Sequence, residues 1–369
     1  MDLTLSRAEL LEELQLVQGI VERRTTIPIL ANVLLTAEGD RLSIAATDLD
    51  VTVYTGCRGT VRQEGRATVQ SRLFFDLVRS APADSLTVSY RENRVDVRSG
   101  SFHSQLASLD PGDFPSLPAA PSGQGFGVPL ALLHALIDRT SFAVSSEEGH
   151  FQYNAALLRL AGKGLEMVAT DGHRLAYAKA AHSAKTVPFE QQLLPRKILS
   201  QIRRLAPQGD TPLYLAQGEN HLSFRMADRT LMSRVLEARF PQYEKVLVRD
   251  NPNRVRVGRQ DLAASLRRVA LLTSERTHGV QMTIDRDGLT LTSVGFDVGQ
   301  AEEQVSCSYA GEPVKVFVNA QYILDFLGAV ETGEIEIQIR DGDGPVVMLP
   351  VGDDERIQET LYVIMPIRL

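Results

Sequence analysis

A helix-opening pattern that returns at one constant interval constrains this chain more than any other feature. Residues 193–205 read Leu-Leu-Pro-Arg-Lys-Ile-Leu-Ser-Gln-Ile-Arg-Arg-Leu. Thr68-Val-Gln-Ser71-Arg-Leu-Phe-Phe-Asp-Leu-Val-Arg79 lies upstream and Phe317-Val-Asn319-Ala-Gln-Tyr-Ile-Leu-Asp-Phe-Leu327 downstream. Each is a strand-like step into a helix opener followed by an amphipathic run, and Ser71, Pro195 and Asn319 stand 124 residues apart. Self-similarity at a fixed period sets the architecture before any local reading does. By size alone 369 residues make two or three domains. The period selects three, each long enough to bury its own core.

Within the first repeat the pattern runs strand 3–5, a capping box from Ser6 and Glu9, and a helix from Arg7 to about Gly19 with Leu10, Leu11, Leu14 and Val17 on one face. Runs 28–35 and 41–46 read as a hairpin around Glu38-Gly-Asp40. Thr47-Asp-Leu-Asp50 turns into strand 51–54. The order then repeats, with a strand at 67–69, a helix opened by Ser71 over 71–79, and strands near 86–90 and 95–98. Paired openers recur in the other repeats, 66 residues apart at Pro129 and Pro195 and 61 apart at Gly258 and Asn319. Each domain is thus expected to be a duplicated β-α-β-β-β half-unit, in the α+β class. Asp113-Phe-Pro115, Arg239-Phe-Pro241 and Ile364-Met-Pro366 mark the ends of the copies, and residues 110–127 are rich in Pro and Gly. Expected domains are 1–120, 127–247 and 254–369.

Candidate catalytic and metal motifs are weak. Asp171-Gly-His173-Arg174 pairs a carboxylate with an imidazole, but Asp-Gly is first a turn signal. Asp48 and Asp50 hold the equivalent turn in the first repeat, and Val294-Gly-Phe-Asp297 replaces it in the third without a His. A hydrolase built on Asp48 or Asp171 would need acids converging on one pocket. Asp341-Gly-Asp343-Gly begins like a calcium loop, yet Pro345 falls where the third acidic ligand belongs, so it reads as a hairpin tip. Gly123-Gln-Gly125-Phe-Gly127 fails the dinucleotide spacing and reads as linker, and Gly162-Lys163 as a loose turn. Two cysteines, Cys57 and Cys307, make neither a disulfide scaffold nor a thiolate metal site. No metal or cofactor is expected. No apolar run approaches the ~20 residues of a membrane span and no leader pattern opens the chain, so the expectation is a cytoplasmic protein.

Charge says more. The net charge is −7, yet residues 196–204 carry Arg196, Lys197, Arg203 and Arg204 with no acid. Residues 259–268 add Arg259, Arg267 and Arg268 against Asp261, and equivalent helices add Arg72, Arg79 and Arg139. A basic helix face in an acidic chain suits a phosphate partner, although a charge run is also what any solvated face carries.

Five motifs then identify a family. Arg24-Thr-Thr-Ile-Pro-Ile-Leu30, Ala169-Thr-Asp-Gly-His-Arg-Leu175, Val187-Pro followed by Leu194-Pro-Arg-Lys197, Arg239-Phe-Pro-Gln-Tyr243 and Tyr362-Val-Ile-Met-Pro-Ile-Arg-Leu369 make the whole chain resemble the β subunit of bacterial DNA polymerase III, the replicative sliding clamp. The resemblance implies a non-catalytic processivity factor. It would be a head-to-tail homodimer closed into a ring around double-stranded DNA, helices inside and antiparallel sheets outside. DNA contacts would come from Arg24, Arg72, Arg79, Phe151, Arg196, Lys197, Arg203 and Arg204. Relatives have paired tyrosines where this chain has Phe151-Gln152.

The same resemblance implies a pocket for short linear motifs of the polymerase α subunit, the clamp loader δ subunit and other clamp-motif polymerases and repair proteins. It would comprise Tyr153, Thr170, Gly172, His173, Arg174, Leu175, Pro241, Lys245, Val246, Pro345, Val363, Ile364, Met365, Pro366, Ile367, Arg368 and Leu369. Relatives commonly place Met at Ile367 and Arg at Lys245. Dimer edges would use Ser104, where relatives often have an aromatic, and Leu106 against Leu271 and Leu272. Packing arithmetic agrees with a dimer: helices ~10 Å apart leave a hole of ~10 Å when six close a circle and about 28 Å when twelve do, and only the second admits a duplex of roughly 20 Å. A non-encircling three-repeat scaffold would keep the pocket and lack the basic helix surface.

Overall fold

A computed structural model of the chain describes residues 1–21, 26–119, 125–147, 152–161, 164–182, 188–206, 211–249, 251–274, 277–295 and 299–368. Among them are six α-helices: α1 (Arg7–Val17), α2 (Ser71–Ser80), α3 (Leu130–Thr140), α4 (Arg196–Arg204), α5 (Arg259–Val269) and α6 (Ala320–Ala329). One strand precedes each helix and three follow it, from Asp2–Ser6, α1, Asn32–Glu38, Arg41–Thr47 and Val51–Gln63 at the start to Val314–Asn319, α6, Glu334–Ile339, Val346–Val351 and Ile357–Ile364 at the end. The half-unit therefore occurs six times, and the two-residue strand Cys307–Ser308 is the one addition among the described residues.

The chain packs as two compact units, one of residues 1–130, 186–188 and 197–235, the other of residues 131–185, 189–196 and 236–369. The first holds a twelve-stranded sheet whose path runs from Phe102–Ala107 at one edge to Phe126–Val128 at the other. Its middle is Val51–Gln63, long enough to pair with Asp2–Ser6 through its second half and with Arg229–Arg234 through its first. The second unit holds a nine-stranded sheet, in which Arg174–Ala181 pairs antiparallel with the final strand Ile357–Ile364, and a four-stranded sheet with Gly299–Val305 at one edge. In both units a strand of one repeat pairs with a strand of the next.

Local detail corrects four expectations. Pro28–Ala31 is a turn of 3-10 helix and the strand starts at Asn32; a proline lacks the N–H a ladder needs but suits the first turn of a helix. Helix α2 is capped by Gln70, whose side-chain Oε1 accepts the Leu73 amide at 2.9 Å, while Ser71 is buried and bonded to Gln18. Phe126–Val128 is strand and not linker. On α1, Ser6 Oγ accepts the Glu9 amide at 3.5 Å as expected, but Leu16 is buried and Leu11 is only half-buried.

Buried charge explains the departures on the helix faces. Glu13 turns inward from α1 because its carboxylate receives Arg229 Nη2 at 2.6 Å, Arg229 Nε at 3.0 Å and the Thr55 hydroxyl. On α3, Arg139 was expected on a basic face and is instead buried: its Nε meets both Asp353 oxygens at 3.1 and 3.0 Å and its Nη1 donates to the Ala135 carbonyl. Arg259 is likewise committed, donating to the Thr332 and Leu327 carbonyls. The Asp353 carboxyl lies below the usual carboxylate range, because hydrogen bonds from Arg139 and Thr360 outweigh the burial that would raise it. A depressed folded pKa stabilises above the unfolded value of about 3.9 and loses that contribution as pH falls through the folded one. Arg139→Ala should therefore cost about 3 kcal/mol at pH 7, as expected for a buried charge stripped of its partner. Urea unfolding should show the same gap at pH 5 and a shrinking one below about pH 4.

Candidate functional site

The turn at 170–174 is built entirely from its own side chains. Thr170 Oγ1 donates to the Arg174 carbonyl at 2.6 Å and accepts the Gly172 amide at 3.1 Å. Asp171 Oδ1 accepts the amides of His173 and Arg174, both at 3.0 Å. This winding puts Gly172 at φ +91°, a conformation that side-chain-bearing residues adopt only under strain. The Tyr153 ring lies just beyond the space a Cβ there would occupy.

Arg174 carries the turn into the sheet. Its guanidinium reaches Asp171 at 2.9 Å, Asp325 and the Phe142 carbonyl at 2.9 Å, with the Tyr322 ring 4.4 Å beneath it. Its side chain is thereby enclosed, so Arg174 supports the site from below. Beside it, Tyr362 is fully buried, stacked 5.1 Å from Phe326 and donating to the Tyr322 carbonyl at 3.0 Å; burial pushes its phenol pKa up.

Register does the rest. Leu175 faces Val363 and Arg174 faces Ile364, while Val346, just after Pro345, pairs with Ile364 from the other side. Beyond Ile364 the chain stays tethered, since the Met365 amide donates to the His173 carbonyl at 2.9 Å and the Ile367 amide to the Phe317 carbonyl at 2.7 Å. Leu175, Val347, Val363, Tyr177 and Tyr243 share one buried cluster, on which Phe240, Leu247 and Val248 pack. Those residues bracket Pro241, Lys245 and Val246. At the rim, Met365 is 45% exposed and Val246 36%, with Pro366 and Ile367 half-buried and His173, Lys245 and Arg368 exposed. An apolar floor with an open apolar rim is suited to an extended peptide with hydrophobic anchors.

The other expected residues fall elsewhere. Arg24, Phe151 and Leu369 lie outside the described residues, as does Gly162-Lys163. Arg72, Arg196, Arg203 and Arg204 are exposed. Arg79 is exposed, paired with Asp76 at 2.8 Å, and lies over the Phe75 ring; Lys197 is bonded to Asp48. Ser104 and Leu106 are on the edge strand Phe102–Ala107, with Leu106 already 6% exposed, so the edge backbone is the more available part. Leu271 is 78% exposed just after α5, and Leu272 packs near Gly299 on the other sheet edge. Residues that sequence reasoning missed are Phe142, Tyr322 and Asp325, distant in sequence from Arg174; only the Asp171 to Arg174 spacing is a local signal.

The chain matches three consecutive family models: the DNA polymerase III beta subunit N-terminal domain over residues 1–118, its central domain over 127–242 and its C-terminal domain over 244–368. The beta sliding clamps of Pseudomonas aeruginosa and Caulobacter vibrioides are 33% and 34% identical to it, with every chain covered in full. The chain belongs to the DNA polymerase III β subunit family. A crystal structure of the P. aeruginosa sliding clamp bound to griselimycin superposes with a TM-score of 0.91 at 32% identity, again over both full lengths. This is the three-domain sliding clamp fold, and its role is that of a processivity factor and not of a catalytic subunit.

The first repeat of this clamp builds the same turn. Thr47 Oγ1 donates to the Val51 carbonyl and accepts the Leu49 amide, and Asp48 Oδ1 accepts the amides of Asp50 and Val51. Leu49 sits at φ +81° where the second repeat has Gly172, and Thr52 stands where it has Leu175. Of these two turns, the second thus combines a glycine with an apolar residue at the start of the next strand, where the first has Leu49 and Thr52. Asp171→Ala removes the acceptor for two amides and a carboxylate from Arg174, and should cost about 2–3 kcal/mol. Asp171→Asn keeps the acceptor and should cost about 1 kcal/mol or less. Chemical denaturation of both variants measures the difference.

Proposed function

We propose that two copies of this clamp close head to tail into a ring around double-stranded DNA, and that the groove beside the final strand tethers the replicative polymerase and other proteins to it. The observation that carries the second half is the tether of residues 365–367: two backbone hydrogen bonds hold an apolar segment in place while leaving Met365 exposed. Methionine suits a site with several ligands because its unbranched thioether repacks around each. The P. aeruginosa relative, by its description, binds griselimycin. Short motifs of the polymerase α subunit, the clamp loader δ subunit and repair polymerases are the partners this reading assigns to the groove.

Closure would use strand edges. Phe102–Ala107 ends one sheet and Gly299–Val305 ends another, and an unpaired edge is a template for pairing with a second chain. Leu271, exposed beside the second edge, is apolar surface suited to burial at such a contact. Domains 1–120, 127–247 and 254–369 would each supply two of the twelve helices of the ring. Arg72, Arg79, Arg196, Lys197, Arg203 and Arg204, with Arg24, would meet the phosphates without reading sequence, and Phe151 would stack on a base. A clamp on the chromosome works in the cytoplasm, and no described helix is long and apolar enough to cross a membrane.

Removing residues 367–369 leaves Ile357–Ile364 paired on both sides and should preserve the fold and the dimer. It should weaken a labelled clamp-motif peptide by about a hundredfold, equivalent to losing roughly 2.7 kcal/mol of contact. Fluorescence anisotropy checks this, and undiminished affinity would move the site elsewhere.

A further inference from the structure

The first unit contains a cavity of about 430 Å³ whose counterpart in the second unit is filled by a tyrosine. It is lined by Leu34, Ala45, Tyr54 and Leu117, with the hydroxyls of Thr36 and Ser43 and an Arg41–Asp228 ion pair of 2.7 Å at its margin. That size is within the range of small-ligand sites.

The duplication aligns the two places residue by residue. Leu34 pairs with Ala45 and Ala45 with Tyr54 in the first repeat; Leu157 pairs with Val168 and Val168 with Tyr177 in the second. On the same scheme Thr36 stands at the position of Arg159 and Ser43 at that of Glu166. The Phe-Pro markers bring Phe114 onto Phe240 and therefore Leu117 onto Tyr243.

In the second unit Tyr243 is buried in the sheet's apolar cluster with Leu157, Val168 and Tyr177. Its ring stacks 6.3 Å from Tyr177 and meets the edge of Phe240 at 6.1 Å. Its hydroxyl accepts from Arg159 Nη1 at 3.2 Å and faces Glu166 Oε2 at 3.4 Å. In the first unit the stacking wall is kept, because Tyr54 is fixed by its hydrogen bond to the Pro118 carbonyl at 2.6 Å, and Ile29, Leu30 and Phe114 keep the apolar floor. What is missing is the ring itself, since Leu117 is shorter than tyrosine. The two charged side chains around the hydroxyl are replaced by two small hydroxyls, which leave room.

We propose that this cavity binds a para-substituted phenol, its ring against Tyr54 and Leu34 and its hydroxyl bonded to Thr36 and Ser43. The same chemistry comes either as a free phenol or as a tyrosine side chain of a partner, and the two are separable. It is distinct from the groove at the final strand, none of whose residues line it.

The test uses the full-length chain with methyl-labelled leucine and alanine, titrated with p-cresol, toluene and N-acetyltyrosinamide and followed by NMR. p-Cresol should shift the methyls of Leu34, Ala45 and Leu117 saturably at millimolar concentration, with toluene at least threefold weaker. Leu117→Tyr, which restores the ring, should weaken p-cresol at least tenfold. Ala45→Val, which installs the second repeat's own residue, should weaken it with no risk of misfolding beyond that of a one-step enlargement. Binding of N-acetyltyrosinamide to the same methyls assigns a chain-borne tyrosine, and its failure beside p-cresol assigns a free phenol. Absence of saturable shifts, or shifts unchanged in both variants, overturns the site. Toluene binding as tightly as p-cresol overturns the role of the two hydroxyls.

Discussion

Antiparallel pairing of Arg174–Ala181 with Ile357–Ile364 is the interaction on which the proposed peptide groove depends. It joins a strand from the middle of the chain to the last one, so a sheet continues from one repeat into the next. Register matters here in a specific way: a slip of one residue would turn every side chain to the other face. Leu175 and Val363 would leave the floor and Met365 would leave the rim. Arg174 guards against such a slip because its guanidinium is held by Asp171, Asp325 and the Phe142 carbonyl at once. Those partners come from three different parts of the sequence, and a shifted strand would satisfy none of them together.

Duplication supplies the scaffold, and substitution within it supplies function. Six half-units share one strand order, and two of their turns share every hydrogen bond of the Thr-Asp motif. At the turn and around the tyrosine site, divergence lies in side chains at matched backbone positions. Gly172 against Leu49, Leu175 against Thr52, and Tyr243 against Leu117 each change what a nearly constant frame can accept. The buried ion pairs diverge in the same manner. Glu13 on α1 meets Arg229, whereas Arg139 on α3 meets Asp353, so the sign of charge on the helix is reversed while the pinning of a helix to a later strand pair is kept.

Much of this was legible in the sequence because repetition multiplies weak signals. One helix opener is a guess, but six at related spacing are a pattern, and the strand order followed from it. The residues of the proposed groove come only from resemblance, since they lie in five segments that periodicity cannot bring together. Reading failed where tertiary pairing decides a side chain's fate. Arg139 and Arg259 looked like surface charge because their acceptors, Asp353 and the carbonyls at Thr332 and Leu327, are remote in sequence. Pro28 and Gln70 were misread for a local reason: a proline that opens a turn and a glutamine that caps a helix resemble the ends of strands.

An acidic protein with a few exposed basic residues on its helices has a physical logic if it must move along DNA. Phosphate contacts release counterions, and each one strengthens binding at low salt and weakens it steeply as salt rises. A protein held by topology needs few of them, and a net charge of −7 keeps it from adhering elsewhere. The direct measurement is retention on DNA at high salt after loading. Clamps placed on closed circular duplex should persist through a rise to about 1 M salt, where the screening length is ~3 Å, and should be lost once the circle is cut. Equal release from circular and linear DNA would contradict the ring.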